Sequence, residues 1–230
     1  MKPLVIIPAR GGSKGLPRKN IKLLNGKPLI YYTIEEAKLI FDDKVIIVST
    51  EDNEIKEIVE KTGLKVPFLR PTYLATDESG TYEVLLDTIK QVEKSGYIPD
   101  TIILLQPTSP FRNSIHIQSA LKIYQNNIGV DMVASVKETK SNPYYLLYEE
   151  DEKGYLKKSK DSNFKRRQDC PKVWEFNGAI YVINKKSLIE KPISQFEKVI
   201  KYEMDEKSSI DIDSILDFEF AAFLLQSSKI

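Results

Sequence analysis

Residues 4–20 read LVIIPARGGSKGLPRKN: four apolar residues without interruption, then a loop holding three glycines, a serine and four cations. A short apolar run that ends in such a loop predicts a strand buried on both faces, with its carboxyl end open to a ligand. Two runs of the same kind follow, Lys44–Ser49 and Thr101–Leu105, and Asp131–Val136 is a further strand. Between them the apolar positions change to helical spacing. Pro28 opens a helix reaching Ile40, and Asp52 caps one whose Ile55, Ile58, Val59 and Thr62 share a face. Glu78–Lys94 and Ser114–Tyr124 are two more. Strands alternating with helices of this length predict an α/β fold with a doubly wound, largely parallel sheet.

The rhythm breaks at Lys137. Residues 137–172 are polar, charged and rich in tyrosine, and they read as an excursion from the sheet. This divides the chain into a core, 1–136 and 173–230, and an inserted arm, 137–172. The core pattern returns at Gly178–Val182. The apolar stretch Ser214–Gln226 is expected to form a last helix that docks on the sheet.

Of the 230 residues, 41% are hydrophobic, enough for one sizeable α/β core. Lys and Arg total 34 against 33 Asp and Glu, which gives no support to nucleic-acid binding through net charge and makes any anion site local. The single cysteine, Cys170, excludes an intrachain disulfide and fits the reduced cytoplasm. No apolar stretch approaches the length of a membrane span. The only histidine, His116, sits early in a predicted helix. One histidine cannot build a His-rich metal centre, and no nucleophile elbow accompanies it for a Ser-His-Asp triad.

Four segments carry candidate chemistry. In the first loop, glycines let backbone N–H groups approach phosphate oxygens, and Arg and Lys neutralise them. The spacing is neither the Walker A pattern nor the dinucleotide fingerprint, and the alternative is a solvated surface loop. Gln106–Arg112, QPTSPFR, follows a strand; its hydroxyls, amide and Arg112 fork suit a polar ligand, or the prolines simply stiffen a connection. In Ser209–Asp213, SIDID, alternation puts Asp211 and Asp213 on one face, where a hard cation such as Mg²⁺ would relieve their repulsion. Alternatively Asp213 caps the last helix. In LRPTYLATD, residues 69–77, Arg70 either holds phosphate or pairs with Asp77.

Taken together, IPARGGSKGLPRKN, LRPTYLATD, LLQPTSPFR, FNGAIYV and SIDID, in that order, resemble the acylneuraminate cytidylyltransferases. These are the CMP-sialic acid synthetases and their relatives acting on other nonulosonic acids. The resemblance covers nearly the whole chain. It implies a nucleotide-sugar transferase fold, a homodimer, and attack of a sugar's anomeric hydroxyl on the α-phosphate of CTP. By position it implies that Arg10, Gly12, Ser13, Lys19 and Asn20, with Arg70, Ser79 and Thr81, hold the nucleotide. Gln106, Asn177 and Tyr181 would contact the sugar, and Asp211 and Asp213 the Mg²⁺. Arg10, Lys19, Gln106 and Asp211 would carry catalysis. Residues 137–172 resemble a dimerisation arm, which would bring Arg167 into the partner's site.

The related enzymes for the eight-carbon acid Kdo have a similar loop, but Lys19-Asn20 and the Ser209–Asp213 segment favour the nonulosonate branch. Intact Arg10, Gln106, Asp211 and Asp213 argue against a non-catalytic nucleotide-sugar sensor. One departure bears on the substrate. Glu175 stands where members acting on sialic acid commonly carry arginine. The resemblance then implies a preference for a legionaminate-type acid, with Tyr144, Tyr145 and Trp174 as an apolar wall.

Overall fold

The computed structural model describes residues 1–76 and 79–227. The expected helix start at Glu78 and the alternative Arg70–Asp77 pair fall outside the described residues. The strands are β1 (Pro3–Pro8), β2 (Leu23–Leu24), β3 (Lys27–Pro28), β4 (Ile46–Ser49), β5 (Thr101–Leu105), β6 (Met132–Glu138), β7 (Tyr148–Glu150), β8 (Leu156–Lys158), β9 (Trp174–Asn184) and β10 (Val199–Glu203). The helices are α1 (Leu29–Lys38), α2 (Asn53–Glu60), α3 (Thr81–Lys94), α4 (Ser114–Asn126), α5 (Lys185–Glu190) and α6 (Ile215–Ser227).

Six strands form one sheet in the order β10-β6-β9-β5-β1-β4. All pairings are parallel except those of β9, which runs antiparallel to both β5 and β6. No crossover helix links β6 to β9; the chain leaves and returns through residues 139–173, and a strand joined that way runs backwards. β1 shows why the sheet is covered twice. Val5 and Ile7 face a layer holding Ile30 and Ile34 of α1, Ile55 of α2 and Ile117 of α4. Leu4 and Ile6 face Leu85 and Ile89 of α3 and Leu188 of α5. Every one of the four strand residues is fully buried. The doubly wound, largely parallel α/β fold is therefore as the strand runs predicted.

Two elements differ from the sequence expectation. Strand β10 was not anticipated, because its alternation of half-buried and exposed residues at the sheet edge leaves only a weak apolar pattern. Helix α6 does not dock on the sheet. Phe218 and Ala221 pack instead against Leu16, Leu24, Leu29 and Ile212, closing over the loop that follows β1. Residues Leu216, Phe220 and Phe223 remain exposed, so the helix is apolar all round without being buried all round.

Outside the main sheet, β7 and β8 pair only with each other. Among the described residues no helix is long and apolar enough to cross a membrane. From β1 the chain moves to β4 on one side, then returns across to β5 on the other. The carboxyl ends of β4, β1 and β5 therefore lie side by side at a switch point, where open α/β sheets form a ligand crevice.

Candidate active site

A cleft of about 260 Å³ opens at that switch point. Arg10, Ser13, Lys19 and Asn20 come to it from the loop after β1, and Arg70, Ser79 and Thr81 from the segment before and into α3. Gln106 and Thr108 come from the end of β5. A second hollow of about 400 Å³ shares Gly80, Thr81 and Gln106 with the first and is walled by Tyr82, Phe176, Tyr181 and Ile193. Phe176 and Tyr181 meet edge to face at 5.9 Å. One hollow is thus polar and cationic, the next aromatic, and Gln106 stands between them. A larger cavity, about 700 Å³, is lined by Asp100, Tyr124, Ile128 and Lys185 at the other end of the parallel strands, away from the crevice.

The three loop glycines do different things. A Cβ on Gly11 would overlap the Asp52 carboxylate, and one on Gly15 the Asp213 carbonyl. Those two let parts of the protein itself close on the loop. Gly12 is exposed, with nothing within 4 Å of a Cβ placed there, and it does not itself line the cleft. The loop cations also divide. Arg18, in a left-handed backbone conformation at φ 57, binds Asp52 at 2.5 Å and also Glu54. These bonds raise the Arg18 pKa and lower that of Asp52. Arg10 and Lys19 line the cleft instead. Arg10 donates to the Thr76 carbonyl at 2.9 Å, and Asn20 donates to the Arg10 carbonyl at 3.0 Å. The Oδ1 of Asn20 is buried with no partner among the described residues.

Asp211 and Asp213 flank Ile212, which is fully buried in the cluster under α6, so both carboxylates lie on the opposite side of the segment. The Ile212 N–H donates to the Thr108 carbonyl at 2.9 Å and pins the segment beside the cleft. Burial pushes the Asp211 carboxyl above the usual range, opposed by a hydrogen bond from Thr108, and Asp213 adds to the rise. Its Oδ1 is buried without a partner among the described residues. Asp213 is exposed and pairs with Lys19 at 2.9 Å. It does not cap α6. Ser214 and Asp217 do so reciprocally: Asp217 Oδ2 accepts the Ser214 N–H at 2.8 Å and Ser214 Oγ accepts the Asp217 N–H at 3.3 Å. No cluster of three or more His, Cys, Asp or Glu side chains converges among the described residues. The pair suits an ion that takes few protein oxygens and the rest from phosphate and water, as Mg²⁺ does.

Several expected ligands are committed elsewhere. Arg112 is 1% exposed and donates to the carbonyls of Gln106 and Ala179, both at 2.9 Å, and to Thr33 Oγ1. It fixes the end of β5 to β9 and α1 rather than meeting a ligand. Asn177 is buried, accepting from Ser135 Oγ at 2.6 Å and donating to Ser209 Oγ at 2.9 Å, so it staples the acidic segment to the sheet. Tyr181 does line the second hollow, and burial raises its pKa, with Asp211 contributing. Glu175 does not face either hollow. It pairs with Lys137 at 2.8 Å across β6 and β9, and that hydrogen bond lowers its pKa. The argument for sugar choice from its charge therefore fails. Of the expected apolar wall, Tyr144 packs on Phe164 within the arm and Trp174 lies under Lys201, and neither they nor Tyr145 line either hollow of this chain. Arg167 is exposed in a short turn, Arg167–Asp169, of residues 137–172.

Sequence reasoning missed Ser49, Thr50 and Glu51 at the end of β4, and the aromatic Phe176. The first three follow a recognised strand, so the rule that picked out the β1 and β5 exits points to them as well. Phe176 opens the recognised FNGAIYV segment, but nothing in that segment marked it as a wall, because its place depends on β9 pairing antiparallel beside β5.

A family model described as cytidylyltransferase matches residues 4–230. An N-acylneuraminate cytidylyltransferase of Streptococcus agalactiae is 37% identical over 222 residues, covering 95% of this chain and 52% of that protein. This chain thus spans about half the length of the first curated relatives it matches. A CMP-N,N'-diacetyllegionaminic acid synthase of Legionella pneumophila is 32% identical, covering 100% of this chain and 98% of that protein. Among solved structures, a CMP:2-keto-3-deoxy-manno-octonic acid synthetase complexed with CTP superposes with a TM-score of 0.72 at 18% identity. That superposition covers 99% of this chain and 100% of the other, and it bears on the fold alone.

Proposed function

Because this chain belongs to the cytidylyltransferase family, we propose that it transfers CMP from CTP to the anomeric hydroxyl of a nonulosonic acid, releasing pyrophosphate. The observation that carries the reading is one cleft gathering Arg10, Ser13, Lys19, Asn20, Arg70, Ser79, Thr81 and Gln106 from three separate segments. A cationic hollow opens from it into an aromatic one across Gln106.

In this reading the triphosphate lies against Gly12, Ser13, Arg10 and Lys19, whose N–H groups and charges offset the charge that develops as pyrophosphate leaves. Arg70 and Asn20 border the rest of the nucleotide. The sugar occupies the second hollow, where Tyr181 and Phe176 supply an apolar wall and Gln106 orients the hydroxyl toward the α-phosphorus. The hydroxyl oxygen bonds to that phosphorus while the bridge to the β-phosphate breaks, and the hydroxyl proton passes to solvent. Asn177 acts one step back, holding the acidic segment in place. Asp211 and Asp213 would hold Mg²⁺, which supplies Lewis-acid polarisation of the phosphate and a lowered pKa for a bound hydroxyl. The protein works as a homodimer in the cytoplasm, with Arg167 reaching the partner's sugar hollow.

The test is pyrophosphate release with CTP, Mg²⁺ and a panel of neuraminic, legionaminic, pseudaminic and Kdo acids. Turnover with a nine-carbon acid supports the reading. A folded protein that turns over none of the panel overturns it in favour of a nucleotide-sugar sensor, and turnover with Kdo alone transfers it to the eight-carbon branch.

A further inference from the structure

From the last residue of β4 the chain runs Ser49-Thr50-Glu51-Asp52, and each of these residues bonds to a segment that contributes to the cleft. The Ser49 carbonyl accepts the Ala9 N–H at 2.9 Å and also Arg70 Nη2, and its hydroxyl accepts Arg70 Nε at 3.1 Å. The Thr50 carbonyl accepts the Arg70 N–H at 2.8 Å. Glu51 Oε1 accepts the Gly11 N–H at 2.7 Å. Asp52 accepts from Arg18 at 2.5 Å and from the Ile55 N–H at 3.0 Å, so it also caps α2. Residues of the phosphate loop and Arg70 both line the cleft, and both segments hang from four consecutive residues.

Glu51 has features that a simple loop tie does not need. Its Oε2 is buried without a partner among the described residues. A neutral side chain would also accept from Gly11, more weakly but without bringing a charge out of water. The charge has a counterpart in Arg70, which is 5% exposed. Burial lowers the Arg70 pKa, and Glu51 is the foremost group opposing that fall. The side of Gly11 that a Cβ would occupy faces Asp52 and Arg18, and Gly11 is not among the cleft-lining residues.

Building on the CTP reading above, we propose that Glu51 is a positioning residue for the nucleotide: it fixes the phosphate loop through the Gly11 N–H, on the same stretch whose Ser49 and Thr50 hold Arg70, and so sets the spacing between that loop and Arg70 that the nucleotide meets. A nucleotide bound to a cleft with that spacing relaxed loses affinity at both ends, whereas the sugar hollow is unaffected.

Calorimetric titration of CTP into wild type, Glu51→Gln and Glu51→Ala, without sugar, tests this. The Ala variant should bind about tenfold more weakly, with Gln in between because it keeps the acceptor and loses the charge. In turnover, KM for CTP should rise while KM for the acid sugar and kcat at saturating CTP stay within roughly twofold. Loss toward both substrates in equal measure, or an unchanged CTP affinity in Glu51→Ala, overturns the proposal. Hydrogen exchange across residues 9–20 without nucleotide gives a second readout. It should quicken in Glu51→Ala, and unchanged exchange counts against Glu51 even if the affinity moves. A wild type that binds no CTP sinks the functional reading instead, and the exchange data then decide the role of Glu51 alone.

Discussion

The ammonium of Lys19 lies 2.9 Å from Asp213 Oδ1, joining the loop after the first strand to the segment before the last helix. The lysine side chain is 11% exposed and the aspartate 76%, so the pair sits at the lip of the cleft with its cation turned inward. A phosphate entering the cleft competes with Asp213 for that cation. Without a divalent ion, Asp213→Asn should therefore bind CTP at least as tightly as wild type, since one negative charge is gone and Lys19 is released. With Mg²⁺, its turnover should fall by roughly 10²-fold if the carboxylate holds the ion. Binding and turnover that both stay at wild-type values would leave Asp213 a surface residue.

Asp211 carries the opposite trade. Burial raises its pKa, so the folded state takes up a proton more readily than the unfolded chain. Stability then falls as pH rises through the window between the ordinary carboxylate value and the raised one. Asp211→Asn removes that penalty. It should raise Tm by a few degrees at neutral pH, and the gain should vanish as pH drops below the ordinary carboxylate range. Activity should be lost at every pH. Thermal unfolding across pH beside a pyrophosphate assay checks both halves; a variant less stable than wild type at neutral pH would contradict the burial argument.

What the sequence revealed and what it hid follow one physical line. β1, β4 and β5 are apolar on both faces, and a run such as Thr101–Leu105 admits few other readings. The exits of β1 and β5 could be identified as site because glycines, cations and prolines cluster there. What escaped depended on partners far along the chain. Arg112 looks like a ligand fork until Thr33 and the Ala179 carbonyl are seen around it. Glu175 looks like a substrate-reading charge until β6 brings Lys137 alongside. Residue type shows that a group is polar, whereas only the pairing of β6 with β9 decides which polar neighbour it meets.

His116 offers a pH test away from the cleft. Its Nδ1 accepts the Asn113 N–H at 3.2 Å while Asn113 Oδ1 accepts the His116 N–H at 3.1 Å, a reciprocal cap on α4. Burial lowers its pKa; Asp205 and Glu36 oppose this and Arg112 reinforces it. Protonation removes the acceptor, and the unfolded chain binds that proton first. Stability should therefore be intact above the ordinary imidazole range and decline as pH falls through it. His116→Gln keeps an acceptor at this position and should flatten that decline. Denaturant unfolding at pH 7.5 and 5.5, two conditions about one unit either side of a free imidazole, measures it. An equal decline in both proteins would place the effect elsewhere.

The arm supplies the last prediction. β7 and β8 form a two-stranded sheet of three residues each, and such a hairpin is marginal by itself. Around it Leu146, Leu147, Tyr155 and Leu156 are exposed, which is apolar surface a second subunit would cover. Arg167 lies in the same excursion and has no role in this chain's own cleft lining. If the arm crosses to a partner, Arg167 belongs to the other subunit's site, and the two defects Arg167→Ala and Lys19→Ala should complement. Each variant alone should be nearly inactive while its Tm stays near wild type. After subunit exchange, half the dimers carry one of each, and each such dimer has one site with both residues intact. Mixed protein should then regain about a quarter of wild-type activity. Native mass spectrometry establishes the dimer and the exchange. A fully active monomer, or exchanged mixtures with no recovery, would put Arg167 outside the reaction and leave the arm as packing alone.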